Sequence, residues 1–287
     1  MRFGIGTPVV IQVPHGHAEW EETAGIGELD AVARAADRLG YHHLTCSEHV
    51  AVPETVEPVR GSTYWDPLAT FGYMAAITDR IRFATNVLVL GYHHPLAIAK
   101  RYGTLDALSR GRLILGLGVG SLQEEFDLLG APFGDRGDRG DDAIRALRAS
   151  LGRRVPSYQG THYSYQGFVV EPHSVQEDMP FWIGGRTRRS LRRAVTLAQG
   201  WMPFALSYSE VAAFLKDVDQ PPGFEVVLPL AAGDPSGDRD GTLAAVEEAA
   251  AAGATLVNVR PHSQSPSHFI EQLEAFSALV RMDSAAI

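Results

Sequence analysis

The sequence contains one cysteine, an excess of acidic over basic residues and no long apolar run, and each of these features excludes a class of protein. The single cysteine, Cys46, cannot form an internal disulfide, and its apolar surroundings predict a buried structural thiol. The formal net charge of −9 argues against a nucleic-acid partner. No segment has the roughly 18 apolar residues that span a bilayer, and no signal pattern opens the chain. We expect a cytoplasmic protein without a membrane partner.

Several common catalytic constellations are also missing from the sequence. No Ser–His–Asp arrangement and no pair of facing carboxylates emerges along the chain. His15 and His17 lie two residues apart in a loop, and His93 and His94 are adjacent, and neither spacing makes a metal site. The sequence therefore predicts no metal centre.

Short apolar segments of strand character alternate with segments that repeat apolar residues at helical spacing. Helices between successive strands require a parallel sheet, and eight such units close into a barrel with the active site at the carboxyl ends of the strands. We predict an α/β fold, a (β/α)8 TIM barrel formed as one domain by residues 1–287. The predicted strands are residues 2–6, 43–47, 81–90, 112–117, 181–185, 200–203, 225–230 and 255–259.

Three glycines at the end of the fourth predicted strand allow a second interpretation. Gly116, Gly118 and Gly120 resemble the nucleotide fingerprint of a doubly wound, Rossmann-like sheet. Their pattern is Gly-x-Gly-x-Gly, however, and the next strand ends in Gly184-Gly185 rather than an acidic residue. We favour the barrel, in which this bare backbone would let a flat ligand lie close to the strand end.

The strand–helix alternation stops between Val155 and Met179, after a helix that is clearest from Asp142 to Leu151. Aromatic and polar residues alternate from Tyr158 to Tyr165, on either side of a glycine. This pattern predicts a hairpin, in an excursion between strands four and five that could fold over a pocket.

The residues at the predicted strand ends converge on one mouth of the barrel, and most are glycines, aliphatic residues or amides. Glu48 and His49, after the second strand, are the only obvious titratable pair. Histidine readily moves a proton near neutral pH, although an isolated histidine often has only a structural role. A mouth with few acid–base groups suits an enzyme whose bound cofactor carries the chemistry.

The sequence Gly184-Gly-Arg-Thr187 links the fifth strand to a helix and is a candidate phosphate site. Backbone N–H groups at a helix N-terminus attract anions, and Arg186 and Arg188 add positive charge to an acidic protein. The alternative is that the glycines only make a tight turn, while the arginines form a solvated helix face.

Several segments together resemble the luciferase-like monooxygenase superfamily, in particular its branch of F420-dependent oxidoreductases. The resemblance extends from about residue 3 to about residue 205. The segments that carry it are Ser47–His49, Asp66–Pro67, Ile81–Leu90, His94–Pro95, Leu105–Gly120, Glu124–Phe126, Pro180–Gly185 and Gly200–Trp201.

The resemblance implies a deazaflavin, coenzyme F420, or a flavin such as FMN, lying across the strand ends. It places a non-prolyl cis peptide at Asn86–Val87, Glu48 and His49 beside the ring, and His49 as the catalytic candidate. The implied cofactor-binding residues are Glu48, His49, Asn86, Val87, Gly118, Val119, Gly120, Ser121, Gly184, Gly185, Arg186 and Thr187. A homodimer is a further expectation from the family.

Three functions remain open from the sequence. The first is an F420-dependent oxidoreductase that exchanges a hydride with a small organic substrate. The second is an FMN-dependent monooxygenase that uses O2 and reduced flavin from a separate reductase, and the third is a non-catalytic flavin-binding protein. Sugar-phosphate dehydrogenases of the family carry a tryptophan and a glutamate where this chain has Pro53 and Ser121, so that substrate class is doubtful.

Overall fold

A closed barrel of eight parallel strands organises the chain in a computed structural model that describes residues 1–14, 16–231 and 233–282. Each strand pairs in parallel with the next, and the eighth pairs with the first, so the predicted (β/α)8 barrel is confirmed. The strands are β1 (Arg2–Ile5), β2 (His43–Cys46), β3 (Arg82–Thr85), β4 (Leu113–Gly118), β5 (Phe181–Gly184), β6 (Gly200–Met202), β7 (Glu225–Leu230) and β8 (Leu256–Val259).

Helices follow the strands and cover the outside of the barrel. Several begin at sequence signals for a helix start: Asp66 accepts a hydrogen bond from the Ala69 N–H with Pro67 at the first helical position, and Thr187 caps in the same way. The helices are α1 (Ile26–Leu39), α2 (Glu57–Arg60), α3 (Pro67–Ile77), α4 (Pro95–Leu108), α5 (Gln123–Leu128), α6 (Arg136–Arg148), α7 (Arg188–Leu197), α8 (Tyr208–Leu215), α9 (Arg239–Ala251) and α10 (Pro266–Leu279).

Three pairings of two-residue strands accompany the barrel. Ile11–Gln12 pairs with Thr63–Tyr64 and joins the loop after β1 to the loop after β2. Leu88–Val89 runs beside the end of β4. Tyr158–Gln159 and Ser164–Tyr165 form the hairpin that the sequence predicts in the excursion.

The third strand is shorter than the ten residues predicted from its apolar run. β3 ends at Thr85, and the chain passes through a cis peptide bond between Asn86 and Val87, at the position that the resemblance implies. Two hydrogen bonds connect the continuation to Glu48: its backbone N–H donates to the Val87 carbonyl, and its side chain accepts from the Val89 N–H.

Helix α6 begins at Arg136, six residues before Asp142, where the helical pattern in the sequence becomes clear. Glycines and alternating charges in its first two turns hide the helical periodicity in the sequence. At Gly140 a Cβ would lie 2.6 Å from Cγ1 of Val119, so the missing side chain allows α6 to pack closely against the residues that follow β4.

The core contains the aliphatic residues of the strands and large aromatic side chains, including fully buried Trp182 and Trp201. Cys46 is 1% exposed, and burial raises the pKa of its thiol to about 12, which confirms the predicted structural role. None of the helices in the described ranges is long and apolar enough to cross a membrane.

Candidate active site

The chain after β2 places Glu48 and His49 at the mouth, with different surroundings. Glu48 is 7% exposed; its Oε2 accepts from the Val89 N–H at 2.6 Å, and its Oε1 lies 2.7 Å from Nε2 of His93. Both carboxylate oxygens are thus engaged by residues that follow β3. Glu48 therefore fixes the interrupted strand end, and its side chain has little freedom to contact a ligand directly.

His49 is held by a carboxylate from α5. Its Nδ1 lies 2.7 Å from Oε2 of Glu125, and its ring packs edge-on against Tyr64 with centroids 4.5 Å apart. The side chain of His49 is 17% exposed, whereas that of Glu125 is fully buried. Tyr92 also donates to Oε2 of Glu125, at 2.5 Å. The three side chains form a continuous His49–Glu125–Tyr92 cluster.

Sequence reasoning did not identify Glu125 as a site residue. Glu124–Phe126 belongs to the segments that resemble the family, but the sequence does not show which of the two adjacent glutamates faces the barrel. In the structure Glu124 is exposed and Glu125 is buried, since α5 turns only one of them inward. The signal available for Glu125 was its position directly before Phe126, an apolar residue that is buried in the structure.

Val87 lies between the two predicted glycine segments. A Cβ on Gly118 would lie 2.4 Å from Cγ2 of Val87, and one on Gly184 would lie 2.6 Å from its Cγ1. At Gly120, a Cβ would lie 2.4 Å from the ring of Phe126. The described structure thus explains these glycines by close protein packing, and their direct contact with a flat ligand stays a prediction.

Two arginines approach the segment after β4. The guanidinium of Arg60 lies 3.3 and 3.4 Å from the Ser121 hydroxyl, and Nε of Arg136 donates to the Gly120 carbonyl at 3.1 Å. Neither arginine forms an ion pair with an acidic residue in the part of the chain that the structure describes. They bring positive charge to the neighbourhood of Val119, Gly120 and Ser121.

The Gly184–Thr187 segment leads into α7 as predicted, with Thr187 at the N-cap. Arg188, Arg189 and Arg193 are paired with Asp217, Asp138 and Asp141, respectively. These arginines are therefore neutralised by the protein itself.

Arg186, by contrast, is exposed and makes no ion pair or hydrogen bond with residues 1–14, 16–231 or 233–282. Together with the positive end of the α7 dipole, this arginine can attract an anionic group. The residues present therefore fit a cofactor that carries a phosphate.

A cavity of about 470 Å³ opens near the mouth, between the loops after β1 and β2. Gln12, His17, Glu57 and Ser62 are among its lining residues, and none of the predicted site residues lines it. The cavity therefore does not mark the candidate site. The described residues contain no group of three or more His, Cys, Asp or Glu side chains arranged to hold a metal ion.

Comparison with known proteins identifies the family. The sequence model of the luciferase-like monooxygenase family matches residues 1–227. The chain therefore belongs to the luciferase-like monooxygenase family, and it is an oxidoreductase.

Individual proteins resemble this chain in sequence or in fold. Uncharacterized protein Rv0953c of Mycobacterium tuberculosis is 29% identical over 203 residues, which cover 66% of this chain and 72% of that protein. The putative coenzyme F420-dependent oxidoreductase Rv3520c of the same species is 31% identical over 159 residues, covering 51% of this chain and 45% of that protein. Monooxygenase RslO1 from Streptomyces bottropensis has the same fold, with a TM-score of 0.79, 20% identity and coverage of 98% and 99% of the two chains.

Proposed function

We propose that this protein is an F420-dependent oxidoreductase that exchanges a hydride with a small organic substrate. The observation that carries the proposal is the composition of the barrel mouth, where one histidine oriented by a buried carboxylate accompanies an arginine free to bind an anion. Such a site can bind and orient a cofactor but offers few groups for chemistry of its own. The similarity to a protein named a putative F420-dependent oxidoreductase supports the choice of cofactor.

Each part of the mouth has a role in this proposal. The N-terminal end of α7 and Arg186 bind the cofactor phosphate, Val87 supports its ring, and Ser121 lies along its linker. A bound deazaflavin supplies a carbon atom that accepts or releases a hydride. His49 lies beside the ring and accepts or returns a proton at its Nε2 atom.

An FMN-dependent monooxygenase is the second candidate, because the matching family is described as luciferase-like monooxygenases. It would use O2 and reduced flavin from a separate reductase, with the same residues around the phosphate and the ring. We retain the homodimer as part of either proposal.

Titration with F420 and, separately, with FMN distinguishes the two candidates. Absorbance and intrinsic fluorescence of the four tryptophans report binding of each cofactor. We expect saturable binding of F420 and weaker binding of FMN. Tight binding of FMN without binding of F420 would overturn the first proposal and favour the second.

The substitution His49→Ala tests whether the bound cofactor is used for catalysis. We expect the variant to retain F420 binding and to lose hydride transfer by roughly 10²- to 10⁴-fold, the usual contribution of a positioned proton-transfer group. The rate of F420 reduction or reoxidation in the presence of a panel of alcohols and carbonyl compounds is the measurement. An unchanged rate would remove His49 from the mechanism, and cofactor binding without turnover of any compound would favour a non-catalytic protein.

A further inference from the structure

The buried carboxylate of Glu125 has three hydrogen-bond donors and one imidazole nitrogen around it. Its Oε1 accepts from the backbone N–H groups of Val50 at 2.5 Å and Ala51 at 3.2 Å. Its Oε2 faces the Tyr92 hydroxyl at 2.5 Å and Nδ1 of His49 at 2.7 Å. Three fixed donors on two oxygens favour an ionised carboxylate, since a protonated one would bring its own hydrogen into the cluster.

The charge states in the cluster agree with this arrangement. Burial alone would raise the pKa of Glu125, but hydrogen bonds from His49, Tyr92 and the Val50 N–H outweigh it and leave that pKa below its ordinary value. Burial and the bond to Glu125 raise the pKa of Tyr92, so its hydroxyl keeps its proton and remains a donor. Nδ1 of His49 must therefore carry a hydrogen, because its partner oxygen can only accept.

The other ring nitrogen of His49, Nε2, is accessible from outside the cluster. Nε2 has no hydrogen-bond partner within residues 1–14, 16–231 and 233–282, and it is not among their unpartnered buried atoms. The side chain keeps 17% of its surface exposed, so Nε2 is the accessible edge of the ring. In a neutral imidazole that carries its hydrogen on Nδ1, this atom is an acceptor.

We propose that Glu125 is a positioning residue that fixes His49 as the Nδ1–H tautomer and presents an unprotonated Nε2 at the barrel mouth. The group that meets Nε2 in the bound substrate is then an O–H or N–H donor, and His49 acts as a proton acceptor towards it. This assignment rests on the proposed function for its catalytic meaning, but the tautomer itself is a property of the protein without cofactor.

The substitution Glu125→Gln gives a sharp test, because the surroundings dictate how the new amide must lie. The Val50 and Ala51 N–H groups require an acceptor, so the amide oxygen takes the place of Oε1. The amide NH2 then takes the place of Oε2 and donates to Nδ1 of His49. The hydrogen of the imidazole moves to Nε2, and the tautomer is reversed.

Long-range 1H–15N spectra of 15N-histidine-labelled protein measure the tautomer directly, at about pH 8 where an ordinary imidazole is neutral. Eleven histidines contribute signals, and the loss of one set in His49→Gln assigns those of His49. We expect a protonated Nδ1 and an unprotonated Nε2 in the wild type, the reverse in Glu125→Gln, and the wild-type pattern in Glu124→Gln. The exposed neighbour Glu124 makes this last variant the matched control.

A wild-type spectrum with the hydrogen on Nε2 would overturn the proposal, even if Glu125→Gln did not fold. An unchanged tautomer in a folded Glu125→Gln variant would overturn it as well. Because these spectra need no cofactor, their failure is separate from a failure of the F420 titration. Diethyl pyrocarbonate provides a second readout, since it modifies unprotonated, accessible imidazole nitrogens: we expect modification of His49 at Nε2 in the wild type and in Glu124→Gln, and at least tenfold slower modification in Glu125→Gln.

Discussion

At Gly118 even a methyl side chain has no space, because its Cβ would lie 2.4 Å from Cγ2 of Val87. We expect Gly118→Ala to lower the free energy of unfolding by ~1–3 kcal/mol, as overpacking of a rigid core commonly does. The double variant Val87→Ala/Gly118→Ala should recover part of this loss, because the smaller residue 87 vacates the space. Urea denaturation measures each stability.

Gly72 provides the matched control for this comparison. It lies within α3, and a Cβ there would meet no atom within 4 Å, so Gly72→Ala should be neutral or stabilising by about 0.5–1 kcal/mol. Equal stability of Gly118→Ala and the wild type would show that Val87 moves freely, and the rigid contact inferred for these residues would be wrong.

We expect the proposed phosphate binding at the α7 N-terminus to depend most on Arg186. Its charge has no partner among the residues that the structure describes, whereas Arg188, Arg189 and Arg193 are neutralised by aspartates. We expect Arg186→Ala to weaken F420 binding by ~1–3 kcal/mol, or about 5- to 150-fold in Kd, the magnitude of a charge-assisted hydrogen bond.

The exposed Arg192, further along the same helix, serves as the control for Arg186. Arg192→Ala changes the net charge equally but should leave the Kd for F420 within about twofold, since the proposed phosphate site is at the first turn of the helix. Fluorescence titration of both variants is the measurement. If the two substitutions weaken binding equally, the effect comes from overall charge, and Arg186 belongs to the solvated helix face.

Among the secondary-structure elements, those with regular periodicity could be predicted from the sequence and those shaped by tertiary contacts could not. The helix Pro95–Leu108 follows a proline start and repeats apolar residues at helical spacing, so its bounds could be predicted. The break after Thr85 and the start of α6 at Arg136 depend on Glu48 and on close packing at Gly140, which no local pattern reveals. Glu125 was missed for the same reason, because its partners come from the segments that follow β2 and β3.

Buried carboxylates on two helices, Asp142 and Asp106, each accept several hydrogen bonds from the excursion between β4 and β5. Asp142 of α6 accepts from the Tyr158 hydroxyl at 2.5 Å and from the backbone N–H groups of His162 and Tyr163 at 2.6 and 3.1 Å. Asp106 of α4 has the same role for residues 174–176. The hairpin therefore packs on the helical layer, where the Tyr165 hydroxyl also bonds to the Ala146 carbonyl at 3.1 Å, and we expect Asp142 to make the largest contribution to its position.

Asp142→Asn should release the hairpin from α6. An amide group keeps one acceptor but directs an NH2 donor at groups that also donate, so we expect a loss of about 1–3 kcal/mol in the free energy of unfolding. Hydrogen exchange by mass spectrometry should show faster exchange in residues 158–165, with strands β1 to β4 unchanged. Asp127→Asn, at an exposed position on α5, is the control. Unaltered exchange in the hairpin would mean that other contacts hold it.

Closure of the barrel joins the first strand to the last, and a directional chain of hydrogen bonds crosses this seam. Arg2 donates to Nε2 of His42 at 3.3 Å, the two Nδ1 atoms of His42 and His43 are 3.0 Å apart, and Nε2 of His43 lies 2.7 Å from Oδ1 of Asn258. With Nδ1–H of His42 and Nε2–H of His43 as donors, each contact has one donor and one acceptor. A proton added to either ring would place two donors face to face.

The whole molecule should therefore lose stability as the pH falls below about 6.5, the ordinary pKa of histidine. Burial is the main cause that lowers the pKa of His42 to about 2 and that of His43 to about 3. At a pH between these pKa values and about 6.5, the unfolded chain therefore binds more protons than the folded protein. The free energy of unfolding then decreases on acidification, by up to about 1.4 kcal/mol per pH unit for each histidine. Urea denaturation between about pH 7.5 and pH 5 measures this slope above the range in which carboxylates titrate.

His43→Gln separates this seam from other sources of acid sensitivity. The glutamine amide can still donate to Asn258 but does not titrate, so the variant should lose about half of the slope between about pH 6.5 and pH 5. His262 provides the control, because it is exposed and follows β8, the strand that contains Asn258. His262→Gln should keep the wild-type slope. If His43→Gln retains the full slope, protonation of the seam does not limit stability in acid, and other titrating groups must account for the loss.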